Sequence, residues 1–360
     1  MTKTTAKNQI QPVRIGNRNV GPGHPVYIVA ELSANHRQDY DEAVRLVHAA
    51  KEAGADAVKL QTYTPDTMTI DHDDDRFIHG KGSLWEGKTL YELYKKAYMP
   101  WEWQPELKTI ANGIGLDLFS SAYDPTSVDF LNELDVPALK ISSFELVDLP
   151  LIRHAGRTGK PLILSTGMAS FSEIEQAVTV ATSVGCEDII VLKCTSAYPA
   201  EFDEMNLRTI PDLSRVLALP CGLSDHSLGI IAPVAATALG ACVIEKHFTL
   251  SRQNNSVDSG FSLNPSEFNE MVAAVRFAEK AMGSACYGPT AVEQENLAFR
   301  RSIYAIVDIE KGQTISEQKV RSIRPGGGLS PGYLKRLIGK RAKNNMKRGA
   351  PVTWDDIVGR

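Results

Sequence analysis

Short apolar runs alternate with longer amphipathic segments along most of the chain. The amphipathic segments, such as those that begin at Asp39 and Phe171, carry apolar residues at i, i+3, i+4 and i+7 and end in glycine. This pattern predicts helices. The apolar runs predict eight strands, which begin at Val26, Ala57, Leu116, Ala138, Pro161, Asp188, Pro220 and Cys242.

Each of the eight predicted strands is followed by a predicted helix. Buried parallel strands are typically continuous apolar runs, and eight strand–helix units form a closed (β/α)8 TIM barrel of about 250 residues. A doubly wound open sheet is the alternative α/β architecture, but it usually carries a glycine-rich phosphate turn after its first strand. Here Glu-Leu-Ser-Ala-Asn-His occupies residues 31–36 instead. The pattern therefore favours the barrel.

One long connection, from residue 64 to residue 100, interrupts this alternation. It combines Trp85, Tyr91 and Tyr94 with many charged residues. Long connections in compact domains are usually functional or disordered. The segment is therefore either a partly ordered lid over a site or a plain surface excursion.

The pattern changes again after Gly283. Residues 1–284 are assigned to the barrel and residues 285–300 to a linker, while short alternating strands with several glycines and prolines in residues 301–360 predict a small β-rich domain. A domain of this size has little core of its own, so we expect it to rely on a larger partner surface.

Composition narrows the class of protein. Of the 360 residues, 43% are apolar and 23% charged, and the formal net charge is −4, which gives no support to nucleic-acid binding. The five cysteines form no C-x-x-C pair, which is typical of a reducing compartment. Since the sequence shows no secretory signal and no apolar stretch long enough to span a membrane, we expect a soluble, cytoplasmic protein.

All eight predicted strands end in polar or ionisable side chains. In a (β/α)8 barrel the active site is built from these carboxyl ends, and such groups are costly to bury unless they bind something. The strand-end residues are Glu31, Asn35, His36, Lys59, Gln61, Ser120, Ser121, Lys140, Ser142, Ser143, Ser165, Thr166, Thr195, Ser196, Ser224, Asp225, His226, Glu245, Lys246 and His247. This set predicts an enzyme active site.

The residue types indicate the chemistry. Lys59 and Lys140, together with the surrounding hydroxyls, suit a ligand that carries phosphate and carboxylate, although salt bridges to strand-end acids would also explain the lysines. His226 and His247 end neighbouring strands and could share one divalent metal ion. Glu31 and Glu145 are candidates for proton transfer or for the activation of water.

The segments that carry these residues are similar to the sialic acid synthase family, in which a (β/α)8 barrel precedes an antifreeze-like (SAF) domain. They are AELSANH, AVKLQTY, ALKISSFEL, LSTGMAS, CTSAYPA, GLSDHS, EKHFTL and RPGGGLSP, in matching order. Within the family the chain most resembles the pseudaminic acid synthase branch. The neuraminate branch usually has Glu-Ile-Gly-x-Asn-His-Asn-Gly where residues 31–38 stand here, and Asn in place of Ser196.

The resemblance implies a metal-dependent transferase of surface-glycan biosynthesis. Such an enzyme condenses phosphoenolpyruvate with 2,4-diacetamido-2,4,6-trideoxy-L-altrose, giving pseudaminic acid and phosphate. The alternative is an N-acetylneuraminate or legionaminate synthase that acts on N-acetylmannosamine or a related amino sugar. A third hypothesis, a sugar- or ice-binding protein on the same scaffold, conflicts with the full set of lysines and histidines.

The resemblance also assigns roles to residues. It implies His226 and His247 as ligands of a divalent ion, Mn²⁺ or alternatively Mg²⁺ or Co²⁺, and either Glu31 or Glu145 as the residue that activates water. Arg324 would reach the barrel of a partner subunit in a domain-swapped homodimer. The implied phosphoenolpyruvate contacts are Lys59, Ser121, Lys140, Ser143, Ser165, Ser196 and Ser224, and the implied sugar contacts are Gln61, Tyr198, Asp258 and Arg324.

Overall fold

The computed structural model describes residues 10–78 and 87–359. Its first element is a short antiparallel hairpin of β1 (Val13–Ile15) and β2 (Arg18–Val20) that the sequence pattern did not predict. The hairpin buries Ile15 against the barrel core, and Arg18 forms a 2.9 Å ion pair with Asp56, which directly precedes the second barrel strand. The hairpin therefore lies at the amino-terminal end of the barrel, away from the strand ends that carry the predicted site.

Eight parallel strands close into a barrel, which confirms the predicted fold. The last strand pairs with the first, with His247 beside Glu31. Gly222 permits a close approach between the seventh and eighth barrel strands, since a Cβ there would lie 2.5 Å from the carbonyl oxygen of Val243. The strands are β3 (Tyr27–Glu31), β4 (Ala57–Thr62), β5 (Asp117–Ala122), β6 (Leu139–Ile141), β7 (Leu162–Ser165), β8 (Ile189–Cys194), β9 (Cys221–Asp225) and β10 (Val243–His247).

Helices surround the barrel and begin where their sequences provide caps. The side chains of Asp124, Ser170 and Asn264 accept hydrogen bonds from the first helical turn, each within a capping box. The helices of this unit are α1 (Tyr40–Glu52), α2 (Pro65–Met68), α3 (Leu90–Ala97), α4 (Gln104–Gly113), α5 (Pro125–Glu133), α6 (Leu149–Gly156), α7 (Phe171–Thr182), α8 (Thr209–Leu217), α9 (Ile231–Ala238) and α10 (Pro265–Met282).

The long connection between β4 and α4 contains two of these helices, α2 and α3. Thr89 caps α3 by accepting a hydrogen bond from the Glu92 amide. Leu93 and Ala97 lie one turn apart on this helix and are both buried. Trp85, which contributed to the lid hypothesis, lies outside the described residues, and whether the connection closes over a ligand stays a prediction.

The chain divides after Gly283 into two compact units. The second unit contains an antiparallel pair, β11 (Ser302–Ala305) and β12 (Val320–Ile323), and one short helix, α11 (Leu334–Leu337). Its own small core is built from Ile303, Ala305, Ile309, Ile315, Val320, Leu337, Ala342, Met346, Val352 and Ile357. Within residues 10–78 and 87–359, no helix is long and apolar enough to cross a membrane.

Candidate active site

A cavity of about 450 Å³ opens at the carboxyl ends of the barrel strands. It brings together fourteen of the residues that the sequence singled out as site residues within the barrel, thirteen of them as lining residues and Ser121 through its contact with Lys59. The predicted residues that line it are Glu31, Lys59, Gln61, Lys140, Ser143, Glu145, Ser165, Ser196, Tyr198, Ser224, His226, His247 and Asp258.

Four buried ionisable side chains, Glu31, Lys59, Lys140 and Glu245, form what we term the charged floor of this cavity. Lys59 Nζ lies 2.8 Å from Glu31 Oε2 and 3.5 Å from Glu245 Oε1, and it donates to Ser121 Oγ at 2.9 Å. Lys140 Nζ lies 3.4 Å from Glu245. The two lysines are therefore held side by side through one shared carboxylate.

The pKa values on the floor follow from burial and pairing. Although burial opposes ionisation, Lys140 and Lys59 lower the pKa of Glu245 to about 2, with help from the Ser224 hydroxyl that donates to it at 3.0 Å. Burial lowers the pKa of Lys140 and raises that of Glu31. A second anion beside Lys140 would favour its charged form, so the floor is suited to bind an anionic ligand.

Hydroxyl groups surround the floor. Ser143 Oγ and Ser196 Oγ lie 2.7 Å apart, and Ser165 Oγ is buried with no hydrogen-bond partner among the described residues. Gly167, at φ +50°, leaves room for Ser143 and Ser196, because a Cβ there would lie 2.4 Å from Ser143 Cβ and 2.8 Å from Ser196 Oγ. A buried hydroxyl without a partner is costly, so Ser165 is available to a ligand.

The rings of His226 and His247 lie with their centroids 5.3 Å apart at the ends of β9 and β10. His226 Nδ1 lies 2.9 Å from the Thr195 carbonyl oxygen, to which it donates, so its Nε2 is left as the lone-pair nitrogen. His247 Nδ1 is buried and has no hydrogen-bond partner in the described part of the chain. Burial, and then the neighbouring His226, lower the pKa of His247 well below its usual value and keep it neutral.

Two imidazoles from adjacent strands, those of His226 and His247, fit a divalent metal ion as two of its ligands. A grouping of three or more His, Cys, Asp and Glu side chains with metal-binding geometry does not occur in residues 10–78 and 87–359. The fit therefore rests on the two histidines.

Glu145 lies just after β6, where its carboxyl group faces the cavity. Burial raises its pKa to about 7, and Oε2 has no hydrogen-bond partner within the described ranges. Glu31, in contrast, accepts a 2.9 Å hydrogen bond from Gln61 Nε2 in addition to its ion pair with Lys59. Of the two carboxylates, Glu145 is therefore the one free to exchange a proton near neutral pH.

The residues predicted to contact the sugar lie around the edge of the floor. Gln61 Nε2 donates to Ser33 Oγ at 3.0 Å, and the Ser33 hydroxyl donates to the carboxylate of Asp258. The Tyr198 ring lies 4.3 Å from the His226 ring, centroid to centroid. Arg324 belongs to the second unit, where it lines a separate cavity of about 500 Å³ with Asn296, Phe299, Arg300 and Arg301.

Some strand-end residues are not part of the cavity lining. Lys246 and Asp225 form a fully buried ion pair of 2.6 Å. Asn35 donates to the Phe248 carbonyl oxygen and to Ser262 Oγ. His36 packs edge-to-face on Trp103 with centroids 5.9 Å apart. These four strand-end residues therefore have structural partners outside the cavity lining.

Sequence reasoning placed Glu245 at a strand end but gave it no role, and its contact with both lysines shows why it matters to the site. Of a second group it named only Tyr94, as part of the lid hypothesis. Tyr63, Met68, Leu93, Tyr94 and Ala97 line one side of the cavity, and we term them the apolar wall. The period of α3 places Leu93 and Ala97 on one face, but nothing in the sequence indicates that this face meets the site.

Comparison with known proteins agrees with this geometry. A family model described as the NeuB family matches residues 46–287, and a model described as the SAF domain matches residues 300–358.

Two similar proteins carry the name pseudaminic acid synthase. The one from Helicobacter pylori is 43% identical over 92% of this chain and 98% of its own length. The one from Campylobacter jejuni is 44% identical over 96% of this chain and 100% of its own length. Among solved structures, N-acetylneuraminic acid (sialic acid) synthetase from Leptospira borgpetersenii, in complex with citrate, is similar with a TM-score of 0.70 and 33% identity, over 80% of this chain and 95% of that one.

Proposed function

We propose, from the premise that the chain belongs to the NeuB family, that it condenses phosphoenolpyruvate with 2,4-diacetamido-2,4,6-trideoxy-L-altrose to give pseudaminic acid and phosphate. The observation that carries the proposal is the pair of buried lysines beside the imidazoles of His226 and His247 in one cavity. The acceptor is supported by identity, which is 43–44% to the two pseudaminic acid synthases and 33% to the N-acetylneuraminic acid synthetase.

Phosphoenolpyruvate would bind on the charged floor. Lys59 and Lys140 offer ammonium groups to its phosphate and carboxylate, and the serine hydroxyls supply neutral donors around them. Ser165 has an unused buried hydroxyl, and Ser143 and Ser196 can each exchange their mutual hydrogen bond for one to the ligand. The implied phosphoenolpyruvate contacts are Lys59, Ser121, Lys140, Ser143, Ser165, Ser196 and Ser224.

His226 and His247 would hold the divalent ion, with Mn²⁺ as the first candidate and Mg²⁺ or Co²⁺ as the others. When bound, such an ion supplies Lewis acidity toward the aldehyde of the open-chain sugar. Tyr198 packs against His226 with the two rings tilted by 42°. Gln61, Tyr198 and Asp258 then line the space in which the acceptor must lie.

The reaction joins the methylene carbon of phosphoenolpyruvate to the aldehyde carbon, and the aldehyde oxygen takes up a proton. Water adds at C2, and the bond between C2 and the phosphate oxygen breaks, so that phosphate leaves. Glu145 would accept the proton of this water, because its carboxyl group is half ionised near pH 7 and has no competing partner among the described residues. Lys59 and Lys140 would neutralise the departing phosphate and the carboxylate throughout.

The second unit would act on the acceptor of another subunit. Arg324 lies in a cavity of that unit with two further arginines, a suitable donor set for the oxygen of an N-acyl group. We therefore keep the domain-swapped homodimer as part of the proposal. Arg324→Ala chains and Lys140→Met chains can be mixed to test the swap. If subunits share active sites, one site of the mixed dimer has both Lys140 and Arg324, so part of the activity should return. A mixture without activity would contradict the swap.

The test of the function is phosphate release with phosphoenolpyruvate, Mn²⁺ and each of three acceptors: the altrose derivative, the legionaminic acid precursor and N-acetylmannosamine. We expect the altrose derivative to give the highest kcat/KM, a nine-carbon product by mass spectrometry, and loss of turnover with a chelator. Preference for another acceptor would favour the corresponding synthase. A folded protein that binds sugar without releasing phosphate would favour the non-enzymatic alternative.

A further inference from the structure

The active-site cavity has two chemically different sides. The charged floor comes from the ends of strands, whereas the apolar wall of Tyr63, Met68, Leu93, Tyr94 and Ala97 comes from the exit of β4 and the connection that follows it. In the proposed reaction the floor binds the phosphate and the carboxylate, and the histidine pair holds the ion that acts on the aldehyde. The reaction proposed above therefore gives the wall no role.

The wall is held in place by residues outside its own helices. Trp101 Nε1 donates to the Tyr63 carbonyl oxygen at 3.0 Å, and Gln38 Nε2 donates to the carbonyl oxygens of Lys95 at 3.0 Å and Tyr98 at 3.2 Å. These bonds fix the end of α3 to the loop after β3. The wall is thus a preformed surface, which binds a ligand at lower entropic cost than a loop that must fold around it.

We infer that Met68, Leu93 and Ala97 determine acceptor specificity against N-acetylmannosamine, by selecting a sugar that carries methyl groups where N-acetylmannosamine carries hydroxyls. This inference rests on the proposed function and names the part of the site that chooses the substrate. Leu93 and Ala97 are 5% and 8% exposed, and Met68 is half-buried, so together they present carbon and sulfur atoms to the cavity.

The chemistry of the acceptors gives the wall its selectivity. The trideoxy sugar has a methyl group at C6 and a second acetamido methyl at C4, and N-acetylmannosamine has hydroxyls at both positions. A hydroxyl pressed against Leu93 or Ala97 loses its hydrogen bonds to water, whereas a methyl group gains buried contact. One such group in a hydrophobic pocket changes kcat/KM by roughly 10- to 200-fold.

The position of the wall agrees with this role. Gln61, a proposed sugar contact, lies two residues before Tyr63 at the end of β4. Tyr63 packs edge-to-face on Tyr94 and on Tyr123, with centroids 5.6 and 5.3 Å apart. An acceptor whose aldehyde lies at the histidine pair and whose body passes Gln61 would therefore present its far end, C4 to C6, to the wall.

The experiment measures kcat/KM for the altrose derivative and for N-acetylmannosamine in Met68→Gln, Ala97→Ser and Leu93→Asn. We expect the ratio between the two acceptors to fall by about tenfold in each variant, while KM for phosphoenolpyruvate stays within about twofold. Leu90→Gln is the matched control on α3, because Leu90 does not line the cavity. Met68→Gln is the safest variant for folding, since it keeps the length of a half-buried side chain.

The outcomes separate the inference from the proposed function. An unchanged ratio in Met68→Gln and Ala97→Ser, with melting temperatures near that of the wild type, overturns the inference and leaves the function standing. A fall in the ratio of the same size in Leu90→Gln also overturns it, because the effect would then be structural. A wild-type enzyme that turns over N-acetylmannosamine but not the altrose derivative overturns both.

Discussion

The charged floor and the apolar wall line one cavity but are built in different ways. The floor draws Glu31, Lys59, Lys140 and Glu245 from four strands, so its geometry is fixed by the hydrogen bonds of the whole barrel. The wall comes almost entirely from one connection between β4 and α4. Substitutions in the floor therefore affect residues of the barrel strands. Substitutions in the wall affect almost only the connection between β4 and α4.

This difference separates two properties of the enzyme. In the proposed reaction the floor and the histidine pair would act on groups that every acceptor shares, so damage there should reduce turnover of all acceptors equally. The wall, by our inference, would contact groups in which the altrose derivative and N-acetylmannosamine differ. The ratio of kcat/KM between two acceptors therefore shows which side of the cavity a substitution has altered.

The largest loss is expected from removal of a proposed metal ligand. His247→Ala should reduce kcat by about 10³-fold for both acceptors. The reason is that a bound Lewis acid lowers the activation free energy by several kcal/mol, and this stabilisation would be lost. Mn²⁺ affinity, measured by calorimetry or by electron paramagnetic resonance, should fall with it. His154→Ala is the control, since His154 pairs with Asp129 on the outer face of the barrel. Unchanged Mn²⁺ binding in His247→Ala would remove the histidine pair from the proposal.

The second prediction removes the charge of one lysine of the floor while keeping the length of its side chain. Lys140→Met should lower kcat/KM for phosphoenolpyruvate by about 10²–10³-fold, the usual cost of losing one preorganised donor. Lys193→Met is the matched control, since Lys193 also lies on a strand but donates to the Cys194 carbonyl oxygen and does not line the cavity. A change in the acceptor ratio in Lys140→Met would mean that floor and wall are not independent.

Glu145 allows a test by pH. Because its pKa is raised to about 7 and the ionised form is the proposed base, kcat/KM should fall as pH drops below 7. In Glu145→Gln this fall in kcat/KM at acidic pH should disappear, and the rate should be about 10²-fold lower. The raised pKa also means that the folded state prefers the neutral acid, so its contribution to stability is lost as pH rises from 4.5 through 7.

A thermal melt checks that second consequence. The melting temperature of Glu145→Gln relative to the wild type should be higher at pH 8 than at pH 4.5. If kcat/KM still falls below pH 7 in Glu145→Gln, another group is responsible for the pH dependence. Glu31 is the next candidate.

The smallest effect is expected at the edge of the floor. Gly167→Ala would bring a methyl group against Ser143 and displace its hydroxyl, so KM for phosphoenolpyruvate should rise by about tenfold, with the acceptor ratio unchanged. Gly185→Ala is the control: Gly185 also has a positive φ, +92°, but its Cβ would meet no atom within 4 Å. Gly185→Ala should lower the stability of the protein and leave KM for phosphoenolpyruvate unchanged. An equal rise of KM in this control would exclude the steric explanation.

Much of the floor could be predicted from the sequence because a (β/α)8 barrel converts position along a strand into position in space. Lys59, Lys140 and His247 were recognised as strand ends, and the barrel brings all strand ends to one mouth. Glu145 was recognised from its position just past the fourth predicted strand. The family resemblance added Asp258, which lies in a loop where periodicity gives no guidance. The barrel itself and the SAF domain are confirmed by the structure and the comparisons.

The wall could not be predicted in the same way. Leu93 and Ala97 have the spacing of any helix that packs on a core. The lid hypothesis placed the connection from residue 64 to residue 100 near a site, but it did not identify these two residues. The hairpin at residues 13–20 was missed because its strands are only three residues long. Lys246 could not be distinguished from the floor lysines, since only its neighbour in space, Asp225, shows that it is a structural ion pair.

The pairing of β10 with β3 has a consequence during protein synthesis. Glu245, the carboxylate that contacts Lys140, leaves the ribosome more than a hundred residues after that lysine. Until it arrives, a nascent chain that closed its core would bury a cation without a counter-ion, which is strongly unfavourable. A truncated chain that stops before β10 should therefore remain open to cellular proteases and not accumulate as an incomplete barrel.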